Sequence, residues 1–209
     1  MKKTNKMIIA LSLSIVLLMG CLIGGTLAWL LDKTNPVKNV FTTSDIDIEL
    51  EETTKDYEMV PGHTIDKDPF VTVKANSEAC YVFVKVEKTA NLDTYIAYAI
   101  DGDWKKLEDG VYYLTADEMT TDQVFHVLGE GSYTDPMGTE NTADDVTVAW
   151  ENDEVGVKPS VKKTMMDSLT EDTMPKLTFT AYSVQRFETN GEEFTAAEAW
   201  ALAQNNANY

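Results

Sequence analysis

Histidine and cysteine, the side chains best suited to catalysis or metal binding at neutral pH, are scarce in this sequence. It contains two histidines, His63 and His126, and two cysteines, Cys21 and Cys80. Neither histidine lies in the His-Glu-x-x-His pattern of zinc peptidases. No Gly-x-Ser-x-Gly elbow and no glycine-rich phosphate loop occurs. The sequence therefore predicts that the protein is not an enzyme.

The surroundings of these residues favour structural roles. His126 lies in an alternating segment with apolar neighbours on its own face, which is typical of a histidine in the core or at a sheet edge. His63 follows Pro61-Gly62 and is expected in a solvated turn. Cys80 begins an apolar segment without a basic neighbour, so we expect a buried, unreactive thiol. A site built from both histidines and a carboxylate stays open as an alternative.

Two acidic loops contain enough oxygen ligands to be considered for calcium, Asp101-Gly102-Asp103 and the stretch from Asp135 to Asp145. Calcium takes six to eight oxygens, which a carboxylate-rich loop can supply. Neither loop has the EF-hand spacing, because Lys105 stands where the first loop would need an oxygen ligand. We therefore expect no cofactor, with calcium as the alternative.

The charge of the chain limits its partners. The 209 residues include 35 acidic and 17 basic side chains, for a net charge of −18 at pH 7. Such a surface repels phosphate backbones, so we expect no nucleic-acid partner. It also repels anionic lipid surfaces, so contact with a membrane is expected only through the N-terminal segment.

That segment has the pattern of an export signal. Three basic residues, Lys2, Lys3 and Lys6, precede an apolar run from Met7 to Leu31. The small residue Ala28 and the following Trp29 are the expected processing positions, so residues 1–29 are predicted to be a signal peptide. The run is also long enough to span a bilayer, which leaves an uncleaved membrane anchor as an alternative. A lipid on Cys21 is a third alternative, because Leu18-Met19-Gly20-Cys21 loosely matches a lipobox.

The rest of the chain is predicted to be one domain, residues 44–209, after a flexible lead-in, residues 30–43. Short alternating segments separated by turn residues dominate it. We expect strands at Ser44–Glu51, Phe70–Lys74, Cys80–Lys88, Trp104–Leu107, Val111–Leu114, Gln123–Leu128, Val146–Trp150 and Lys176–Phe187. This pattern predicts an all-β fold, a jelly-roll-like antiparallel β-sandwich with one or two short helices, preceded by the N-terminal signal or transmembrane segment.

Several local expectations accompany this fold. The strand Cys80–Lys88 carries apolar residues on both faces and is expected in the centre of its sheet. Val155–Val157 is a candidate partner for Val146–Trp150, and residues 129–145 are expected to form a loop. Residues 91–100 fit a helix or a strand equally. Thr195 and Glu198 form a capping-box pattern, which predicts a helix that Trp200 anchors in the core.

The N-terminal junction resembles a known family. Gly-Gly-Thr-Leu-Ala-Trp, residues 24–29, and Asn39-Val40-Phe41-Thr42 are similar to the TasA/camelysin family of Gram-positive exported proteins. Similar segments recur at Lys67–Val73, Tyr81–Val86 and Leu177–Tyr182. The resemblance implies processing by a signal peptidase of the SipW type and a jelly-roll-like domain in a matrix-fibre or surface protein. Some members of the family carry a peptidase label.

We therefore expect an exported surface or biofilm-matrix structural protein, a fibre-forming subunit that associates with itself or with another exported subunit. Its expected location is the extracellular matrix or cell surface of a Gram-positive bacterium, with membrane anchoring as the alternative. A secreted or membrane-bound camelysin-like peptidase is the alternative function. An extracellular binding module that does not polymerise is a third.

The segment expected to mediate assembly is Asp32–Thr43, which includes Pro36, Val40 and Phe41. It is polar, lacks a sustained period and is joined directly to the first strand. Such a segment can be added as a strand to the open sheet edge of a neighbouring copy. The alternative is that it serves only as a disordered leader.

Overall fold

A computed structural model describes residues 45–53 and 58–206 of the chain. The expected processing positions Ala28 and Trp29 lie outside these ranges, as does the assembly segment with Asp32, Pro36, Val40 and Phe41. Within them the protein consists mostly of antiparallel β-sheets with a few short helices, which confirms the all-β prediction. No helix in the described ranges is long and apolar enough to cross a membrane.

The described part of the chain contains fourteen strands and three α-helices. The strands are β1 Ile48–Glu51, β2 Thr64–Asp66, β3 Phe70–Val73, β4 Cys80–Lys88, β5 Ile96–Ala97, β6 Ala99–Ile100, β7 Lys105–Glu108, β8 Val111–Ala116, β9 Gln123–His126, β10 Leu128–Gly129, β11 Gly131–Asp135, β12 Val146–Trp150, β13 Glu154–Val157 and β14 Leu177–Gln185. The helices are α1 Leu92–Tyr95, α2 Lys163–Asp167 and α3 Ala196–Asn206. A 3₁₀ turn covers Thr142–Asp144.

Two antiparallel sheets enclose the main core. One has four strands in the order β14-β4-β8-β7, and the other has three in the order β1-β3-β9. Val82, Val84 and Val86 of β4 pack in one buried cluster with Val71 and Val73 of β3. Because successive residues of a strand face opposite sides, alternate valines of both strands reach the same cluster.

The opposite face of the four-stranded sheet is covered by α3. Tyr81 and Phe83 of β4 point away from the valine cluster, and Phe83 meets the Trp200 ring with 5.2 Å between centroids. The helix starts at the predicted capping box, where the Thr195 amide donates to the Glu198 carboxylate at 2.9 Å. The Glu198 amide donates in return to the Thr195 hydroxyl at 3.3 Å. The central position of β4 and the anchoring role of Trp200 are thus confirmed.

A third buried cluster joins α1, α2 and the small sheet β2-β13-β5. It contains Leu92, Leu128, Val157 and Val161, and Met165 and Leu169 pack against it. Residues 91–100, which fitted helix and strand equally, contain both, because α1 is followed at once by β5 and β6.

Two local predictions are wrong. Residues 129–145 are not one loop, because β11 pairs with β12 from Gly131 opposite Trp150 to Asp135 opposite Val146. Consequently β12 does not pair with β13, which is hydrogen-bonded to β2 and β5 instead. The glycine and polar residues of β11 concealed a strand that is exposed on one face.

Candidate functional site

The outer edge of β9 is open to solvent in the described part of the fold. This strand ends the three-stranded sheet and pairs only with β3. The Val127 amide donates to the Pro69 carbonyl at 2.9 Å, so Val127 belongs to a hydrogen-bonded pair. Backbone groups of an antiparallel strand alternate between the two sides. The N–H and C=O groups of Val124 and His126 therefore point outward.

One of these outward groups already has a partner. The Trp104 indole N–H donates to the His126 carbonyl at 2.7 Å. Within residues 45–53 and 58–206, the amide of His126 and both backbone groups of Val124 have no protein partner. The Val124 side chain is 50% exposed, which is unusual for a strand valine. The edge thus offers two donors, one acceptor and an apolar contact.

A cleft of about 380 Å³ lies beside this edge. Its lining includes three carboxylates, from Asp101, Asp103 and Asp153, and the side chain of Asn152. The Asp101 carboxylate accepts the Asp103 amide at 2.9 Å, which fixes the tight turn between them. Three acids against one imidazole make the cleft acidic and suited to a cationic partner.

The imidazole of His126 is held against this acidic wall. Its Nδ1 lies 2.9 Å from the Asp153 carboxylate, and its ring lies 5.9 Å from the Phe70 ring between centroids. Asp153 itself has a φ of +63°, so its backbone in the β12–β13 turn lies in the left-handed region. Aspartate is one of the few residue types other than glycine that adopt this backbone conformation with any frequency. Of the two positions expected for His126, in the core or at a sheet edge, the structure shows the edge, where His126 is exposed on β9.

The lining of the cleft contains an oriented base but no serine, threonine or cysteine nucleophile. His63 is not part of it; its backbone bonds to Val60 and Val157 in an exposed turn. Cys80 is fully buried at the start of β4, and this burial raises its pKa to about 12. Among the residues that the structure describes, no group of three or more His, Cys, Asp or Glu side chains could hold a metal ion.

In the second acidic loop, the carboxylate of the first residue, Asp135, is used for hydrogen bonds within the protein. Asp135 is buried and accepts the Met137 amide at 3.0 Å and the Ser160 amide at 3.0 Å. The Ser160 hydroxyl donates to the same carboxylate at 2.6 Å. Burial alone would raise the pKa of Asp135, but these hydrogen bonds outweigh it and hold the pKa below its usual value.

The edge strand β7, at one end of the four-stranded sheet, is built differently. Lys105 and Lys106 are exposed on it, and Lys106 pairs with Asp109 at 3.2 Å. The pairing of β7 with β8 shifts its register between Lys106 and Glu108. Edge lysines and irregular registers both discourage the addition of a further strand.

Sequence reasoning identified His126 and the turn Asp101-Gly102-Asp103 separately, but not that they share a cleft. Trp104 and Asp153 were not predicted to belong to any site. The tryptophan next to an acidic turn is the one local signal that could have drawn attention to it.

No protein-family profile, curated protein or solved structure matches this chain. The resemblance of the N-terminal junction to the TasA/camelysin family therefore stays a prediction.

Proposed function

We propose that the protein is an exported structural subunit that assembles into fibres at a cell surface or in a biofilm matrix. The observation that carries the proposal is the open edge of β9, with the unpartnered backbone groups of Val124 and His126. An exposed, uncharged edge strand is a template for pairing with another chain. We also propose that the two facing sheets form a jelly-roll-like sandwich.

The proposed partner of this edge is the segment 32–43 of a neighbouring copy. Lys33 and Lys38 outnumber Asp32 there, whereas the cleft beside β9 carries three aspartates. Opposite charges favour the encounter and fix its register. Backbone hydrogen bonds to Val124 and His126 would supply affinity, and Val40 or Phe41 could cover the exposed Val124 side chain.

The strand order favours head-to-tail addition over closure within one molecule. Segment 32–43 precedes β1, and β1 lies at the opposite side of the β1-β3-β9 sheet from the open edge. Each copy would therefore present a donor at one side and an acceptor at the other. Contacts of this heterologous kind generate open filaments when the rotation between copies does not close.

Export would control when assembly begins. In the precursor, segment 32–43 is joined to the apolar run that ends at Leu31. Processing near Ala28 or Trp29 by a peptidase of the SipW type would release it outside the cell. Removal of Lys2, Lys3 and Lys6 takes the net charge from −18 to −21, because three positive charges are lost. Copies so acidic repel each other, so salt or calcium is expected to accelerate assembly.

The test compares a chain beginning at Leu30 with one beginning at Ser44, at equal concentration and salt. The longer chain should form fibres in negative-stain images, and the shorter one should stay monomeric. Light scattering gives the rates. If the chain from Ser44 forms the same fibres at the same rate, segment 32–43 is not the donor.

A secreted peptidase is the alternative function, and one contact favours it. The Asp153 carboxylate orients the imidazole of His126, as it would a general base. Casein digestion with and without a chelator tests this function directly. If the protein cleaves casein and His126→Ala abolishes the cleavage, the structural proposal is replaced by an enzymatic one. If the protein stays monomeric and does not cleave casein, a binding module is favoured.

A further inference from the structure

A second cleft, of about 630 Å³, lies in the region between β6, β8 and β11, and it differs from the acidic cleft in its chemistry. It is lined by residues 96–100, by Tyr112 of β8 and by Gly131–Tyr133 of β11. Its volume lies in the range of roughly 300–1,000 Å³ that is common for ligand sites. We call this cleft, with its three tyrosines Tyr98, Tyr112 and Tyr133, the tyrosine groove.

The rings of the tyrosine groove are available to a ligand on a firm base. Tyr98, Tyr112 and Tyr133 are each only half-buried, so part of each ring borders the groove. Trp150 also lines the groove. It is buried, and its indole N–H donates to the Gly129 carbonyl at 3.1 Å. A ring fixed in this way gives a preformed surface that loses little entropy when a ligand binds.

That tryptophan requires glycines on two strands of different sheets, β11 and β13. A Cβ atom at Gly131 would come within 2.5 Å of the Trp150 ring, and one at Gly156 within 2.8 Å. Both strands therefore approach the indole more closely than any other residue type allows. Side chains at these positions would displace the indole and change the shape of the groove.

The groove is a local exception to the acidity of the chain. Its ionised side chains are Lys88, Asp93 and Lys158, which sum to +1 in a protein of net charge −18. Lys88 is paired with Asp93 at 2.6 Å. The Lys158 ammonium instead lies 4.1 Å from the centroid of the Tyr133 ring, and no carboxylate in the described ranges lies within salt-bridge distance of it.

Lys158 is held in place by its backbone. Its amide donates to the Tyr95 carbonyl at 2.8 Å, and its own carbonyl accepts the Val161 amide at 3.1 Å. Asp135 lies near enough for Lys158 to lower the pKa of its carboxyl, but that carboxylate is bonded to Ser160 and Met137. The ammonium is therefore free to bind an anion that enters the groove.

We infer that the tyrosine groove binds a short oligosaccharide whose pyranose rings carry an anionic group. The apolar C–H face of a pyranose packs on a tyrosine ring, and its hydroxyls bond to phenol oxygens at the ring edge. The anionic substituent, a carboxylate or a phosphate, meets Lys158 beside Tyr133. This function is separate from fibre assembly, because it uses neither the β9 edge nor segment 32–43.

An extended peptide fits the groove less well. A peptide that adds as a strand needs a free backbone edge. In residues 96–100, β5 and β6 are only two residues long and are paired with β13 and β10, so neither strand offers more than a very short edge to a peptide. A sugar needs no ladder, since its contacts are made to ring faces and side-chain donors.

The experiment is isothermal titration calorimetry of the purified full-length protein at physiological salt, where charges more than about 8 Å away are screened. The probes are trigalacturonic acid, mannose 6-phosphate, uncharged maltotriose and hexaglutamate. We expect trigalacturonic acid to bind, and binding of mannose 6-phosphate as well would mean that the groove accepts either anion. Preference for maltotriose or for hexaglutamate, or no binding of either anionic sugar, would overturn the inference.

Three variants locate the binding. Lys158→Gln should lower the affinity for trigalacturonic acid by about tenfold, because a charge-assisted hydrogen bond is lost. Tyr133→Ala should weaken it by about fivefold or more through the loss of the ring, whereas Tyr133→Phe should retain most of the affinity. Lys105→Gln on β7 is the matched control and should change nothing, because Lys105 is paired with Tyr113, which does not line the groove. Unchanged affinity in both Lys158→Gln and Tyr133→Ala would place any binding elsewhere and end the proposal.

Discussion

Two edge strands of the main sheets, β7 and β9, differ in the residues that they expose to solvent. Exposed lysines, Lys105 and Lys106, and a shifted register protect β7. On β9 the exposed positions are Val124 and His126, and the strand carries no lysine. Natural proteins protect exposed edges against unwanted pairing. This difference between the two edges supports the proposal that β9 accepts a strand from a partner.

The contrast extends to the charges around each strand. The positive charges of β7 stand on the strand itself, where they would meet an incoming chain. The negative charges near β9 stand on neighbouring turns, at Asp101, Asp103 and Asp153. Charges beside an edge select a partner without blocking its backbone. Substitutions can change the charges or the open backbone groups of one edge at a time, or the core that supports both edges.

The largest effect is expected from the core that supports both edges. Val84 is fully buried on β4, so Val84→Asp should abolish soluble expression, because an unpaired carboxylate would be buried. Glu51→Ala on the exposed face of β1 should be nearly neutral. Expression and thermal melting measure both. Equal losses from the two substitutions would mean that the assigned faces are wrong.

Val124→Lys gives β9 the protection that β7 has. The fibre assembly rate should fall by about tenfold or more, while the free energy of unfolding should change by no more than about 0.5 kcal/mol, as is usual for an exposed position. Val146→Lys on β12 is the control, because Val146 is 42% exposed and Val124 is 50% exposed. Light scattering and denaturant titration give the two quantities. Equal assembly rates in the two variants would contradict a role for the β9 edge.

Trp104→Phe frees the His126 carbonyl and should increase the difference between β9 and β7 in their capacity to pair with a further strand. Loss of the indole hydrogen bond should cost about 1–2 kcal/mol of stability, yet assembly should become faster because the edge gains a fourth open group. Denaturant titration and light scattering are again the measurements. Slower assembly together with the lost stability would show that an ordered edge matters more than an additional acceptor.

Asp135→Asn is the stability control for that variant, because it leaves both edges unchanged. It should cost about 1–3 kcal/mol at pH 7 by weakening three hydrogen bonds to a buried carboxylate. The pKa of Asp135 is lowered in the folded protein, so its contribution is present above the ordinary value of about 3.9 and is lost as the pH falls through the folded pKa. The difference between wild type and variant should therefore shrink below about pH 4. A difference that grows on acidification would contradict the assigned pKa shift.

The smallest effect is expected when the charges are removed from β7. Lys105→Thr combined with Lys106→Thr should change the assembly rate by less than about twofold, because the shifted register still hinders pairing. Light scattering at fixed salt measures the rate. A large acceleration would show that charge alone protects β7.

The sequence alone predicted the parts of the fold that have strong periodicity. The strand β4 begins and ends where the alternation of apolar residues predicts, and the capping box at Thr195 starts α3. The pairing of β13 was not predictable, because a four-residue segment such as Glu154–Val157 carries no information about which distant strand lies beside it. Pairing depends on the positions of all other elements.

The candidate sites were less predictable than the fold. The acidic cleft unites residues from three separate turns and strands, at Asp101, His126 and Asp153, which lie 25 or more positions apart. The tyrosine groove needed the strand β11, which its glycine and polar residues concealed. Local patterns determine the character of a segment, but proximity between distant segments follows only from the packed fold.

The pairing of β4 with β14 has a consequence for how the chain folds. Residues 80–88 obtain one of their two neighbours from residues 177–185, about ninety positions later in the chain. The hydrogen-bond ladder between β4 and β14 therefore cannot be completed until most of the polypeptide has been synthesised. Contacts between residues so far apart in sequence also slow folding. A chain interrupted before residue 177 would expose one edge of β4 together with the apolar face that α3 covers. Under the proposed export of the chain in an unfolded state, this delay would keep the core from closing before translocation is nearly complete.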